Sequence, residues 1–228
     1  MLTMMPATDN LAVKVSGSSK EQWFPVTKLI AVILGNGPTL EDHVTEILAG
    51  QRDAITFGCN RIYTPVGGKV LPVDYYLAMD RYFWDADLKK VLGLKAMTYF
   101  VREKYYQIII NGPYKFRANI VPFKLAQDPH TFSIDIEQPI GHGFTSVYPC
   151  LQLAYMAGAK EMHVYGVDFA NSVDQKTGET KSHFWGNTNR SLTGWKAGKA
   201  MVKSGVAKLR ELGVEVKIHS DLFNQQEG

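Results

Sequence analysis

Residues 28–38 read KLIAVILGNGP, and this stretch decides the fold. Lys28–Leu34 is a continuous apolar run rather than an alternating one, as expected of a strand buried on both faces of a sheet. Gly35-Asn36-Gly37-Pro38 then breaks it. Gly35 and Gly37 permit a tight turn, and Pro38 suits the first position of a following helix, where its missing N–H costs nothing. The exposed N–H groups of that helix end can receive an anion such as phosphate. Leu40 stands where the dinucleotide fingerprint G-x-G-x-x-G needs glycine, and no Walker lysine follows.

The same punctuation recurs along the chain. Asp53–Phe57 reads as a second strand closing on Gly58-Cys59-Asn60, and Asp74–Met79 as a third closing on Asp80. Lys95–Val101 and Gln107–Ile110 are expected as two more. The proline-bearing stretch 112–144 predicts loops, with a strand at Thr131–Ile136. Ser146–Ala157 reads as a helix, Glu161–Val167 as a strand, Ser191–Leu212 as a long helix and Val214–His219 as a last strand. Strands alternating with helices predict an α/β fold: a Rossmann-like, three-layer α/β/α domain with a mostly parallel sheet. Residues 1–27 are expected as a loose N-terminal extension, 28–228 as one nucleotide-binding domain, and about 170–190 as a small lid.

Ligands of such sheets bind beyond the carboxyl ends of the strands. Asn36, Asn60 and Asp80 follow three consecutive strands, so they are expected along one sheet edge. Thr145 and Ser146 open a helix and either cap it or face the ligand with it. Asp168 ends a strand just before the lid, whose run Lys181–Arg190 is dense in polar and aromatic groups. Tyr75 and Tyr76 read as sheet-packing residues. Tyr82, Phe83 and Trp84 read either as a pocket wall or as a subunit contact in a homo-oligomer.

Composition narrows the classes. At 45% hydrophobic residues the chain is not disordered. A net charge of +3, without a basic run, argues against nucleic-acid binding. It also implies that an anionic ligand is held by local N–H groups and asparagines rather than by a basic surface. The longest apolar run, Leu29–Leu34, is far short of the roughly 18 residues of a membrane span. The opening residues MLTMMPATDN lack signal-peptide regions, so a cytoplasmic protein is expected. Cys59 and Cys150 read as reduced thiols. No zinc motif occurs, and no metal site is expected.

In order, GNGPTL (35–40), FGCNRIY (57–63), TSVYPCLQLAYMAGAKEMHVYGVDF (145–169) and SHFWGN (182–187) resemble the motifs of the family 42 sialyltransferases. The glycine-proline loop and the strand ending in Asp80 are also similar to the 6-hydroxymethylpterin diphosphokinase MptE-like group. The first resemblance implies metal-independent sugar transfer from a CMP-sugar to an unidentified acceptor, with no cofactor required. It implies that Asn36 and Asn60 hold the nucleotide and that Ser146 lies in the donor pocket, Asp80 replacing a family asparagine. The lid departs from the family: Asn187 stands where the general-base histidine belongs, Phe184 lacks a phenol, and Ala170 replaces a tyrosine. His183, the one lid histidine, and His142, in the loop before the Thr145-Ser146 helix, are therefore the candidate bases. The second resemblance implies a diphosphokinase-like transferase, with Asp80 and Asp168 holding Mg²⁺ near a triphosphate. A non-catalytic nucleotide binder is the third reading.

Overall fold

The structure, a computed structural model, describes residues 23–25, 27–50, 52–111, 119–173, 178, 180–186, 192–220 and 223. Strand β1 (Ile30–Leu34) leads through a 3-10 turn (Pro38–His43) into α1 (Val44–Gly50) and β2 (Ala54–Cys59). A second 3-10 turn (Asn60–Tyr63) and a loop reach β3 (Tyr75–Ala78), followed by α2 (Arg81–Asp85), α3 (Leu88–Gly93) and β4 (Thr98–Arg102). Next come α4 (Glu103–Ile110), β5 (Asn119–Phe123), α5 (Val147–Met156) and β6 (Glu161–Tyr165). A two-stranded ribbon, β7 (Ser172–Val173) and β8 (Thr180–Lys181), precedes the long α6 (Leu192–Glu211) and β9 (Glu215–His219).

Seven strands form one parallel sheet in the order β5-β4-β3-β2-β1-β6-β9. From β1 the chain builds outward to β5, then crosses back to place β6 on the other flank of β1, with Leu34 level with Tyr165. That reversal is a topological switch point, where the connections diverge and leave a crevice at the strand ends. Side chains alternate between two cores. Ala31, Ile33, Ile55, Phe57, Tyr75 and Phe100 pack under α5 and α6. Val32, Leu34, Tyr76, Tyr99 and Val101 pack under α1, α3 and α4. The architecture is the expected three-layer α/β/α one.

Four local expectations change. Gln107–Ile110 is the end of α4: Tyr106 and Ile109, three apart, are buried while Ile108 faces solvent, so the period is helical. The fifth strand is Asn119–Phe123, which carries Pro122; it is an edge strand, where a missing N–H costs no ladder bond. Thr131–Ile136 is not a strand but part of an irregular stretch anchored on Gln152 of α5. Of the expected loose extension, residues 1–22 and 26 lie outside the described residues. Trp23 and Phe24, however, are core residues packed against Phe100 and Tyr75, because two large rings gain more from burial than a free terminus would allow. No helix among the described residues is long and apolar enough to cross a membrane.

Candidate functional site

At the carboxyl ends of β1–β4 lies an open cavity of about 820 Å³. Asn36, Asn60, Asp80, His142, Thr145, Ser146 and His183 all line it, so seven of the expected site residues meet in one place. A narrow extension of about 60 Å³ runs toward β6, past Gly37 and Asp168.

The floor is built by hydrogen bonds between strand ends. Asn36 Nδ2 donates to the Cys59 carbonyl at 2.9 Å. Asn60 has φ +51°, a left-handed conformation that asparagine tolerates better than most residues. Its carbonyl accepts from Tyr76 Oη at 2.7 Å, and its Oδ1 accepts from Ser146 Oγ at 3.0 Å. Ser146 therefore ties α5 to β2 and does not cap its own helix. Thr145 Oγ1 accepts a long bond, 3.4 Å, from the Val147 N–H.

The glycine loop works differently from the anion cradle expected of it. Gly35 and Gly37 donate to the carbonyls of Tyr165 and Gly166 at 2.8 and 2.7 Å. A Cβ on Gly35 would fall on the Gly166 carbonyl, and one on Gly37 would fall on the Asp168 carboxylate. Asp168 Oδ2 accepts the Thr39 N–H at 2.9 Å; its Oδ1 accepts Thr39 Oγ1 at 2.5 Å and also Ser220 Oγ. The protein's own carboxylate thus fills the turn that phosphate was expected to occupy. Gly35 and Pro38 lie off both cavity walls. Asp168 is buried and engaged at both oxygens, away from the large cavity where Asp80 stands exposed. These two aspartates do not fit a shared Mg²⁺, and among the described residues no three His, Cys, Asp or Glu side chains converge on a metal position.

Positive charge comes from two arginines not anticipated from the sequence. Arg61 directly follows Asn60; its guanidinium lies 4.4 Å from the Trp185 ring centroid, and its Nη2 donates to Tyr82 Oη at 3.1 Å. Arg102 is the last residue of β4, one position beyond the expected strand end. Among the described residues, neither guanidinium lies within ion-pair distance of a carboxylate. The strand-end rule that found Asn36, Asn60 and Asp80 reaches Arg102 once β4 is ended at the right residue. Tyr82 and Phe83 line the cavity as expected, whereas Trp84 is buried in the core with Nε1 donating to the Ala78 carbonyl at 3.1 Å.

In the segment expected as a lid, Phe184 is buried, and its N–H donates to the Asn36 carbonyl at 3.2 Å, which ties the segment to the end of β1. His183 stacks on Trp185 at 4.8 Å, and its Nδ1 lies 3.0 Å from Ser182 Oγ. Asn187 lies outside the described residues. His142 Nδ1 accepts the Phe144 N–H at 3.2 Å, so its ring is neutral with the proton on Nε2. Burial, and then the charge of Arg102, hold its pKa below the ordinary histidine value. Two buried polar atoms among the described residues have no partner, Asn36 Oδ1 and Trp185 Nε1, and both residues line this cavity.

Comparison with solved structures places the fold. Over 87% of this chain and 84% of the other, it is similar to the sialyltransferase CstII from Campylobacter jejuni, solved with cytidine-5'-monophosphate, at TM-score 0.51 and 15% identity. A structure of that sialyltransferase with a trisaccharide acceptor and CMP gives TM-score 0.50 at 15% identity, over 86% and 84% of the two chains. The MAf glycosyltransferase from Magnetospirillum magneticum AMB-1 gives TM-score 0.54 at 15% identity; 89% of this chain matches 35% of that longer one. No curated protein matches the sequence. A model of one family, 6-hydroxymethylpterin diphosphokinase MptE-like, matches residues 7–174, well over half of the sequence. The chain belongs to the MptE-like family.

Proposed function

We propose that the protein is a nucleotide-dependent transferase of the glycosyltransferase type, taking a CMP-sugar as donor. The observation that carries this reading is the pair of unpartnered buried atoms, Asn36 Oδ1 and Trp185 Nε1, on two residues that line one cavity with Arg61, whose guanidinium has no carboxylate at ion-pair distance among the described residues. A buried polar atom without a partner costs about 1–3 kcal/mol, so this cavity is built for a polar ligand. An acceptor atom, a donor atom and a guanidinium together suit a base or ribose and a phosphate. The neighbouring sialyltransferase was solved with CMP, which is the nucleotide this reading assigns.

In this reading Asn36 and Asn60 hold the nucleoside, and Ser146 keeps Asn60 oriented. Arg61 lies against the phosphate. His183 takes the proton of an acceptor hydroxyl, whose oxygen bonds to the anomeric carbon. The bond from that carbon to the phosphate oxygen breaks, and the nucleoside monophosphate leaves with the electron pair, its charge met by Arg61. His142 is less suited to the role of base, because its lone pair already accepts the Phe144 N–H.

The test is thermal denaturation with CMP, UMP, AMP and GMP, followed by an assay for CMP release from CMP-sialic acid. At a hundredfold excess over Kd, a bound nucleotide adds about 2.7 kcal/mol of stability. CMP is expected to raise the melting temperature, and Asn36→Ala to abolish the rise. Failure of every nucleotide to shift the transition removes the reading. Binding without turnover leaves a nucleotide binder. The family description, a diphosphokinase, supports a second reading, transfer from a nucleoside triphosphate, and such a substrate would be carried with Mg²⁺. Turnover of ATP or GTP that depends on Mg²⁺ and on Asp80 would select it.

A further inference from the structure

The cavity has two ends. The orphaned atoms, Arg61 and the Phe184 segment cluster beyond β1 and β2. Arg102 stands at the end of β4, three strand spacings from β1, about 14 Å away. The narrow extension beside Asn36 and His183 does not reach Arg102, His142, Gln127 or Phe144. The whole volume, about 820 Å³, is near the upper end of the roughly 300–1,000 Å³ that small-molecule sites occupy, so there is room for more than a donor.

The far end carries the Arg102 guanidinium together with Gln127, His142, Leu125 and Phe144, and the exposed Asp80 carboxylate stands at the end of the neighbouring strand β3. Arg102 is half-buried, with its guanidinium 5.5 Å from the Tyr105 ring centroid and no carboxylate at ion-pair distance among the described residues. Its field reaches His142, whose Nε2–H is a second donor in the same wall, since Nδ1 is occupied by the Phe144 N–H. Phe144 holds φ +58°, unusual for an aromatic residue, and packs edge-on against the His142 ring at 5.2 Å. The His142–Phe144 turn is thus held in one conformation, and its imidazole lines the same cavity as the Gln127 amide and the Arg102 guanidinium. A guanidinium kept without a counter-ion beside neutral donors matches a carboxylate or phosphate group.

We infer that Arg102, with His142 and Gln127, forms a subsite for an anionic group on the acceptor, so that the second reactant is an acidic or phosphorylated hydroxyl compound. This inference rests on the transferase reading above, in which the donor fills the other end.

The full chain is titrated with glucuronate, glucose 6-phosphate and glucose by calorimetry, each with and without saturating CMP. Both anionic sugars are expected to bind the CMP-loaded protein at least tenfold tighter than glucose. Arg102→Gln should erase that preference while leaving the CMP affinity within twofold, and Arg102→Lys should restore part of it. Equal binding of glucose, no binding of any sugar, or an unchanged preference in Arg102→Gln overturns the inference. If Arg102→Gln weakens CMP as strongly as the anionic sugars, Arg102 serves the phosphate of the nucleotide itself and the inference also fails. If CMP does not bind but anionic sugars still bind through Arg102, the subsite stands and the donor reading falls.

Discussion

Asn60 shows how one residue organises the site. Its left-handed backbone lets a single side chain and its own carbonyl tie β2 to α5 and to Tyr76. The next residue, Arg61, is turned into the cavity by the same 3-10 turn and stacked between Trp185 and Tyr82. A planar guanidinium can stack and bond a phosphate edge at once; an ammonium cannot. Arg61→Lys is therefore expected to weaken CMP binding about tenfold, the loss of about 1.4 kcal/mol, and to leave cytidine binding unchanged. Trp185→Phe keeps an aromatic face under the guanidinium and removes the pyrrole ring with its Nε1–H, so a loss no larger than that of Arg61→Lys is expected. Calorimetry with CMP and cytidine checks both, and equal losses for the two ligands would contradict a phosphate role for Arg61.

At the scale of elements, the irregular stretch 124–146 is held by a few backbone bonds, such as the Ile140 N–H to the Lys124 carbonyl at 2.8 Å, and by one buried side chain. Gln152 of α5 accepts from the N–H groups of Ser133 and Gly141 through Oε1. Through Nε2 it donates to the carbonyls of Gly141 and Tyr148. Tyr148 Oη adds a bond to the His130 carbonyl at 3.1 Å. Gln152→Leu keeps the bulk but strands backbone donors and an acceptor in a site closed to water. A loss of about 3 kcal/mol in unfolding free energy is expected, measured by urea denaturation. The same variant should lower the affinity of any ligand that touches His142 or Phe144, since both ride on this stretch. None of this could be read from Pro129 and Pro139, which announce loops but not what holds them.

For the whole molecule, the edge formed by β6, β9 and α1 carries a histidine cluster apart from the cavity. The rings of His163 and His219 stack at 5.1 Å, with Nδ1 of the first at hydrogen-bond distance, 2.9 Å, from Nε2 of the second. Around them stand Glu161, Tyr165, Glu215 and Lys217 from the two strands, His43 from the first 3-10 turn and Glu46 from α1. Burial lowers the pKa of His219, Glu46 pulls it up, and His163, His43 and Lys217 push it down, for a net fall. For Glu46 burial raises the pKa, but hydrogen bonds from Tyr165 and His43 outweigh it, and the net direction is down. A histidine with a depressed folded pKa binds fewer protons folded than unfolded, so stability falls as pH drops below about 6.5. The depressed Glu46 contributes stability above its ordinary value, lost as pH falls further. The melting temperature is thus expected to decline in two steps from pH 7 to pH 3, and His219→Gln should shrink the upper one, leaving the part that the depressed His142 contributes. A single carboxylate step in both proteins would contradict the coupling. The sequence by itself determined the α/β class, because runs buried on both faces and closed by glycine or a polar residue leave few alternatives to a parallel sheet. It also placed Asn36, Asn60 and Asp80 on one edge, since consecutive strands of such a sheet are neighbours. Only the tertiary structure decided that Asp168 serves the glycine loop and that Arg61 and Arg102 face the cavity. Whether a polar group is used internally or left for a ligand depends on partners far apart in the chain, 129 residues apart for Thr39 and Asp168, and no local pattern encodes that distance.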